Sequence, residues 1–257
     1  MVHTIHDLGQ GFWTIRGDFR IAGVLNVGTQ AGLVQLRSGR FVMLDSYPLS
    51  GAVREAVMKL TDQGRAVQAV LNLHPFHTLH CATTAKDFPT AKLYGSQRHQ
   101  RLHPDLAWQP DLVESQKVQD MFADDLTLSL PRGIDYISGN ESVHAGSLLA
   151  WHPNSRTLHV DDTICLLTAP NALKLIIQDT KIFLHPTMPK ALLPQAEAVI
   201  MLEEWINQLS QMTANLRWLC AAHSGHIEYK IPNDFSNQLL TAFQRIKPKL
   251  TKTKTTT

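Results

Sequence analysis

The chain has 257 residues, 44% of them apolar, with 24 basic against 22 acidic side chains and a formal net charge of +2. That composition supports a sizeable core, and its charge balance excludes the electrostatic footprint of a nucleic-acid or anionic-membrane binder. The three cysteines, Cys81, Cys165 and Cys220, are odd in number and far apart, which argues against a secreted disulfide framework and for a reducing compartment.

Met1 to Gln10 lacks the basic-then-apolar pattern of a leader. No apolar run approaches the roughly 20 residues that span a bilayer, so a cytoplasmic protein is expected. Phe12 to Arg16 reads as a strand. Gly32 to Leu36 and Arg40 to Leu44 read as a hairpin around Ser38-Gly39, with Asp45 closing its second strand. Ser50 to Asp62 reads as a helix capped by Ser50, with Val53, Ala56, Val57 and Leu60 at helical spacing and Gly64 as its stop. Ala66 to Leu73 is a buried strand that runs into His74-Pro75-Phe76-His77-Thr78-Leu79-His80.

Ala91 to Gly95 reads as a further strand, and Gln97 to Val118 as irregular or briefly helical, interrupted by Pro104 and Pro110. Leu126, Leu128 and Leu130 alternate in a short strand. Ser147 to Trp151 pairs with Thr157 to Val160 across Pro153-Asn154-Ser155. Pro194 to Leu209 is helical, Arg217 to Ala222 is a strand ending at His223, and Asp234 to Ile246 is a helix. Lys247 to Thr257 is Lys/Thr-rich without an apolar pattern, and is expected to be a disordered basic tail behind a single domain of residues 1–246. The order of elements suits a layered α/β sandwich.

Five polar sites adjoin apolar strand-like runs: Asp45, the trio His74, His77 and His80, then His144, Asp162 and His223. A fold that gathers strand ends at one edge would bring them together. Clustered neutral imidazoles suit a transition metal of the zinc class. The isolated histidines, His159 and His185 among them, read as structural. Asp161-Asp162 also reads as a capping or turn pair, and Arg98 as a solvated loop residue that could hold an anion.

This series resembles the metallo-β-lactamase-fold superfamily, a four-layer αββα sandwich with its metal site along one edge. Val42-Met43-Leu44-Asp45 is similar to that family's first strand ending in Asp. Ser142-Val143-His144-Ala145-Gly146-Ser147 is similar to GHTxGS, Val160-Asp161-Asp162-Thr163 to the strand ending in GDT, and Ala222-His223-Ser224-Gly225 to the final GHG. The matches run in order from about Phe12 to about His226. The family's HxHxDH motif fits the trio in more than one register. With His74 first and no gap, Phe76 and Leu79 replace the later histidines. With His77 and His80 matched, Pro75 replaces the first. A one-residue insertion after His74 lets all three serve, with Leu79 in place of the motif's Asp.

The resemblance implies that His74, His77 and His144 bind one metal. His80, Asp162 and His223 would bind a second, with Asp162 bridging. Asp45 would orient a histidine from behind through its ring N–H, and Asp162 would hold the attacking hydroxide in line, so that Asp162 and Asp45 are the catalytic carboxylates. One or two zinc ions are implied, with iron or manganese as alternatives. The implied activity is hydrolysis of a small-molecule ester, thioester, lactone, amide or phosphoester by metal-bound hydroxide. The loss of the motif's Asp at Leu79 leaves a second implication standing: a non-catalytic binding or scaffold protein with a degenerate metal site.

Overall fold

The computed structural model describes residues 3–18, 20, 21, 25, 26, 28–167, 181–223 and 225–254. In chain order its elements are β1 (Thr4–Gly9), β2 (Phe12–Gly17), β3 (Arg20–Ile21), β4 (Leu25–Asn26), β5 (Thr29–Gln35), β6 (Phe41–Leu44), α1 (Gly51–Leu60), β7 (Val67–Leu71), α2 (Cys81–Asp87), β8 (Lys92–Tyr94), α3 (Gln97–Leu102) and α4 (Gln116–Phe122). There follow β9 (Thr127–Ser129), β10 (Leu149–His152), β11 (Thr157–Val160), β12 (Ile164–Leu167), β13 (Lys181–Leu184), α5 (Met188–Ala191), α6 (Ala198–Met212), β14 (Trp218–Ala221), β15 (Gly225–Glu228) and α7 (Asp234–Lys254).

Two sheets carry the architecture. One has the order β1-β2-β5-β6-β7-β8, the other β15-β14-β11-β10-β9. Successive side chains of a strand point to opposite faces, and both sheets are apolar on both. On β5 and β6, Val34, Val42 and Leu44 face inward and meet Leu148, Ala150 and Cys220 of the second sheet's side. Their neighbours Leu33, Phe41 and Met43 face outward and pack on Val53, Val57 and Met58 of α1. On the second sheet, Leu149, Trp151, Leu158 and Val160 face outward onto Leu202, Trp205 and Ile206 of α6 and Leu239 and Phe243 of α7. The result is a four-layer αββα sandwich, as the motif order implied.

Parallel pairing sets where the site forms. β6, β7 and β8 run parallel, with Leu44 beside Leu71 and Leu71 beside Tyr94. Their C-terminal ends therefore lie on one edge. In the second sheet β11 and β14 are parallel, with Val160 beside Ala221, so Asp161, Asp162 and His223 leave the sheet side by side. Asn72 ties the first edge together: its Oδ1 accepts from Ser46 Oγ at 2.6 Å, and its Nδ2 donates to the Tyr94 carbonyl at 3.0 Å.

Local readings differ from the structure in places. Ser50 occupies the N-cap of α1 in an extended conformation, but its side chain makes no capping hydrogen bond. Two elements carry little sequence signal: β1 is a polar edge strand, and α2 is only seven residues long. The expected disordered tail is corrected as far as Lys254: α7 continues through it. Leu250 is fully buried, and Lys247 Nζ lies 2.7 Å from Glu203 Oε1. Residues 255–257 lie outside the described set. Truncation after Ile246 should cost about 2–3 kcal/mol, mostly the burial of one leucine with little from a half-exposed ion pair. Urea denaturation checks this; an unchanged midpoint would restore the tail reading.

Candidate metal centre

Asp45 follows β6 at φ +63, a left-handed backbone that Asp tolerates better than most residues. Its N–H continues the parallel ladder to the Leu71 carbonyl at 2.8 Å. Its Oδ1 then accepts the Leu73 N–H at 2.7 Å. This clamp fixes the chain one residue before His74.

His74 is fully buried. Its Nδ1 accepts the Phe76 N–H at 3.1 Å, so Nε2 carries the proton and donates to the His144 carbonyl at 3.0 Å. Ligation through Nε2 requires that bond to be released. The His77 ring stacks on His74 with centroids 4.1 Å apart. The His144 segment is locked to the Asp162 turn by Thr163, whose Oγ1 donates to the Ala145 carbonyl and accepts the Ser147 N–H, both at 2.9 Å. That is the physical content of the paired GS and DT ends of the two motifs.

Asp162 is the hub. It is 3% exposed. Oδ2 lies 3.0 Å from His144 Nδ1, 3.3 Å from His74 Nε2 and 3.7 Å from His77 Nε2, and Oδ1 lies 3.0 Å from His223 Nε2. Burial pushes this carboxyl up, but His74, His144 and His223 outweigh burial and hold it well below the usual carboxylate range. The hydrogen bond to Asp162 in turn raises His144. His223 Nδ1 donates to the Gly28 carbonyl at 3.1 Å. That leaves Nε2 as its ligating atom, the usual way a backbone carbonyl fixes a metal-binding tautomer.

Two sets of side chains place their ligating atoms within 4.8 Å of one another and share Asp162: His74 with His144, and His77 with His223. Four imidazoles around one buried carboxylate are the donor chemistry of a zinc-class ion, and this set fits one. His80 stands outside both sets. Its carbonyl accepts the Thr84 N–H as α2 begins, and burial lowers its half-buried ring's pKa. The second centre implied by the motif therefore lacks His80 as well as the Asp replaced by Leu79, which is 67% exposed. Asp45 does hold a histidine from behind, but that residue is His159, whose Nε2 donates to Asp45 Oδ2 at 2.9 Å.

Three residues at the site were not singled out from the sequence. His159 is fully buried on β11, where a strand position facing the other sheet reads as core. Asp161, 2% exposed, read as a turn partner of Asp162. His185 packs on His144 with centroids 4.8 Å apart. Its Nδ1 is engaged by Thr187, and burial lowers it to about 4, so it is neutral at pH 7.

No family model matches this sequence, and no curated protein matches it. Solved structures do. The chain is similar to a metallo-β-lactamase from Erythrobacter litoralis with TM-score 0.60 at 12% identity, covering 95% of this chain and 96% of that one. It is similar to a mono-zinc metallo-β-lactamase from Pseudomonas aeruginosa with TM-score 0.60 at 9% identity, covering 96% and 97%. For a metallo-β-lactamase from Pontibacter korlensis the values are 0.56, 13%, 95% and 99%. The chain has the metallo-β-lactamase fold. Within that fold its cluster of His and Asp side chains lies where strand ends of both sheets meet.

Proposed function

We propose that this protein is a metal-dependent hydrolase of a small-molecule ester, thioester, lactone, amide or phosphoester. Its metal would be held by His74, His77, His144, Asp162 and His223, with zinc as the best match to the donors and iron or manganese as alternatives. The observation that carries the reading is the convergence on Asp162 of imidazoles from three separate stretches of chain. A bound cation would supply Lewis acidity and a lowered pKa for water. The chain's own residues do the rest. Asp162 spans both sets and orients what they hold. In the metal-free protein His144 donates from Nδ1 to Asp162, which holds both side chains in place. His185, neutral with its proton on Nε2, offers a hydrogen-bond donor beside His144. Phe76, with its ring centroid 6.0 Å from His144, supplies an apolar wall.

A small-molecule substrate accords with the near-neutral charge. Among the described residues no helix is long and apolar enough to cross a membrane. All three cysteines are free thiols, which supports the proposed cytoplasmic location.

The test is turnover of chromogenic ester, thioester and phosphodiester substrates. Chelation should abolish the rate and zinc should restore it, and His144→Ala should remove it. A rate indifferent to chelator and to His144→Ala would sink the reading. The exposed Leu79, standing where the motif has a carboxylate, favours a second reading, a non-catalytic binding protein; metal bound without turnover of any such substrate would select it.

A further inference from the structure

Behind the Asp162 centre lies a second group that the family's ligand set does not contain. Asp45, His159 and Asp161 are all buried, at 3%, 0% and 2% exposure. Their ligating atoms lie within 4.8 Å of one another. His159 Nε2 donates to Asp45 Oδ2 at 2.9 Å, a hydrogen bond that a cation shared by the two would replace. Asp161 Oδ2 is buried with no hydrogen-bond partner. His77 spans the gap between the groups: its Nδ1 is 3.7 Å from Asp161 Oδ1, and its Nε2 is 3.7 Å from Asp162 Oδ2.

We propose that Asp45, His159 and Asp161 form an inner binding site for a divalent cation of the zinc class. Two carboxylates and one imidazole are three protein donors of a kind that holds zinc with one position left open. Burial and the neighbouring Asp45 and Asp162 push the Asp161 carboxyl well above the usual carboxylate range, so a cation entering here would displace its proton. Arg16, whose charge reaches Asp161, is committed to the Gln30 side chain and to the carbonyls of Ala221 and Ala222. The inner site supplies the carboxylate that Leu79 no longer provides, from the opposite sheet. It thus offers a two-metal arrangement displaced inward from the one the HxHxDH pattern would build. The inference borrows only its location from the reading of the outer centre as a metal site.

The test uses the full chain loaded with zinc alone, dialysed against metal-free buffer and analysed for metal. The double variant His144→Ala/His223→Ala removes outer donors and leaves the inner three. It should retain about one zinc per chain, and adding Asp161→Asn should lose it. His159→Gln in the same background repeats the test should Asp161→Asn fail to fold, with circular dichroism reporting on folding in each case. If wild-type protein holds zinc but the double variant holds none, the inner site is overturned and the outer centre stands. A zinc ion that survives both Asp161→Asn and His159→Gln overturns it equally. Wild-type protein that holds no zinc ends both proposals.

Discussion

Replacing Asp162 with alanine is expected to produce the largest functional loss of any single change in this protein. The carboxylate belongs to both outer sets of ligating atoms, so its removal disables each. Loss of a contact that merely supports a ligand costs roughly 10–100-fold in metal affinity. Loss of a shared ligand should exceed that, and hydrolysis should fall with it. Asp162→Asn keeps the shape, removes the charge and should behave the same way. Zinc titration followed by metal analysis is the readout; unchanged affinity in Asp162→Asn would mean the carboxylate is not a ligand. The pH dependence has a definite sign. The folded-state pKa of Asp162 is depressed, so its contribution to the metal-free fold is present above the unfolded value of about 3.9 and is lost as pH falls through the lower folded value. The stability deficit of Asp162→Ala should therefore shrink in acid.

The second large effect is expected at Asp45, and it falls on stability. This side chain accepts two buried donors, the Leu73 N–H and His159 Nε2–H. Alanine leaves both unpaired, and each stranded donor costs about 1–3 kcal/mol. It also places a less tolerant residue at φ +63. A total loss of about 3–5 kcal/mol follows from the two stranded donors together with that backbone strain. Asp45→Asn tolerates the left-handed backbone and can still accept one donor, so it should lose less. Thermal or urea unfolding of the two metal-free variants separates these contributions. Equal losses in both would show that the backbone conformation plays no part, and a loss in neither would remove Asp45 from its clamping role.

Much of the fold was legible because its strands carry strong local signals. The hairpin around Ser38-Gly39 and the pairing of Leu149–His152 with Thr157–Val160 follow from turn chemistry and alternation. Asp45, His144, Asp162 and His223 were legible for a related reason: each sits where a recognisable apolar run begins or ends, and parallel strands carry such ends to one edge. His80 shows the limit of that reasoning. Closeness in sequence to His74 and His77 suggested a shared role, but the backbone at His80 is already turning into α2. His159 shows the converse. An imidazole at an inward strand position looks like core until the opposite sheet is seen to place Asp45 against it. Asp161 was hidden by its neighbour, because a strand-end Asp pair has an ordinary explanation as a turn. The tail was misread because Lys and Thr dominate its composition, while the single apolar residue that anchors it, Leu250, carries no periodicity by itself.

The central claim is that side chains from both sheets converge to hold a metal ion around Asp162. Metal analysis of the full-length protein, purified without added metal, tests it most directly. The account predicts at least about one zinc-class ion per chain, released by chelator together with a fall in melting temperature. Protein that carries no such ion, takes up none when zinc is supplied, and melts at the same temperature with and without chelator would contradict it.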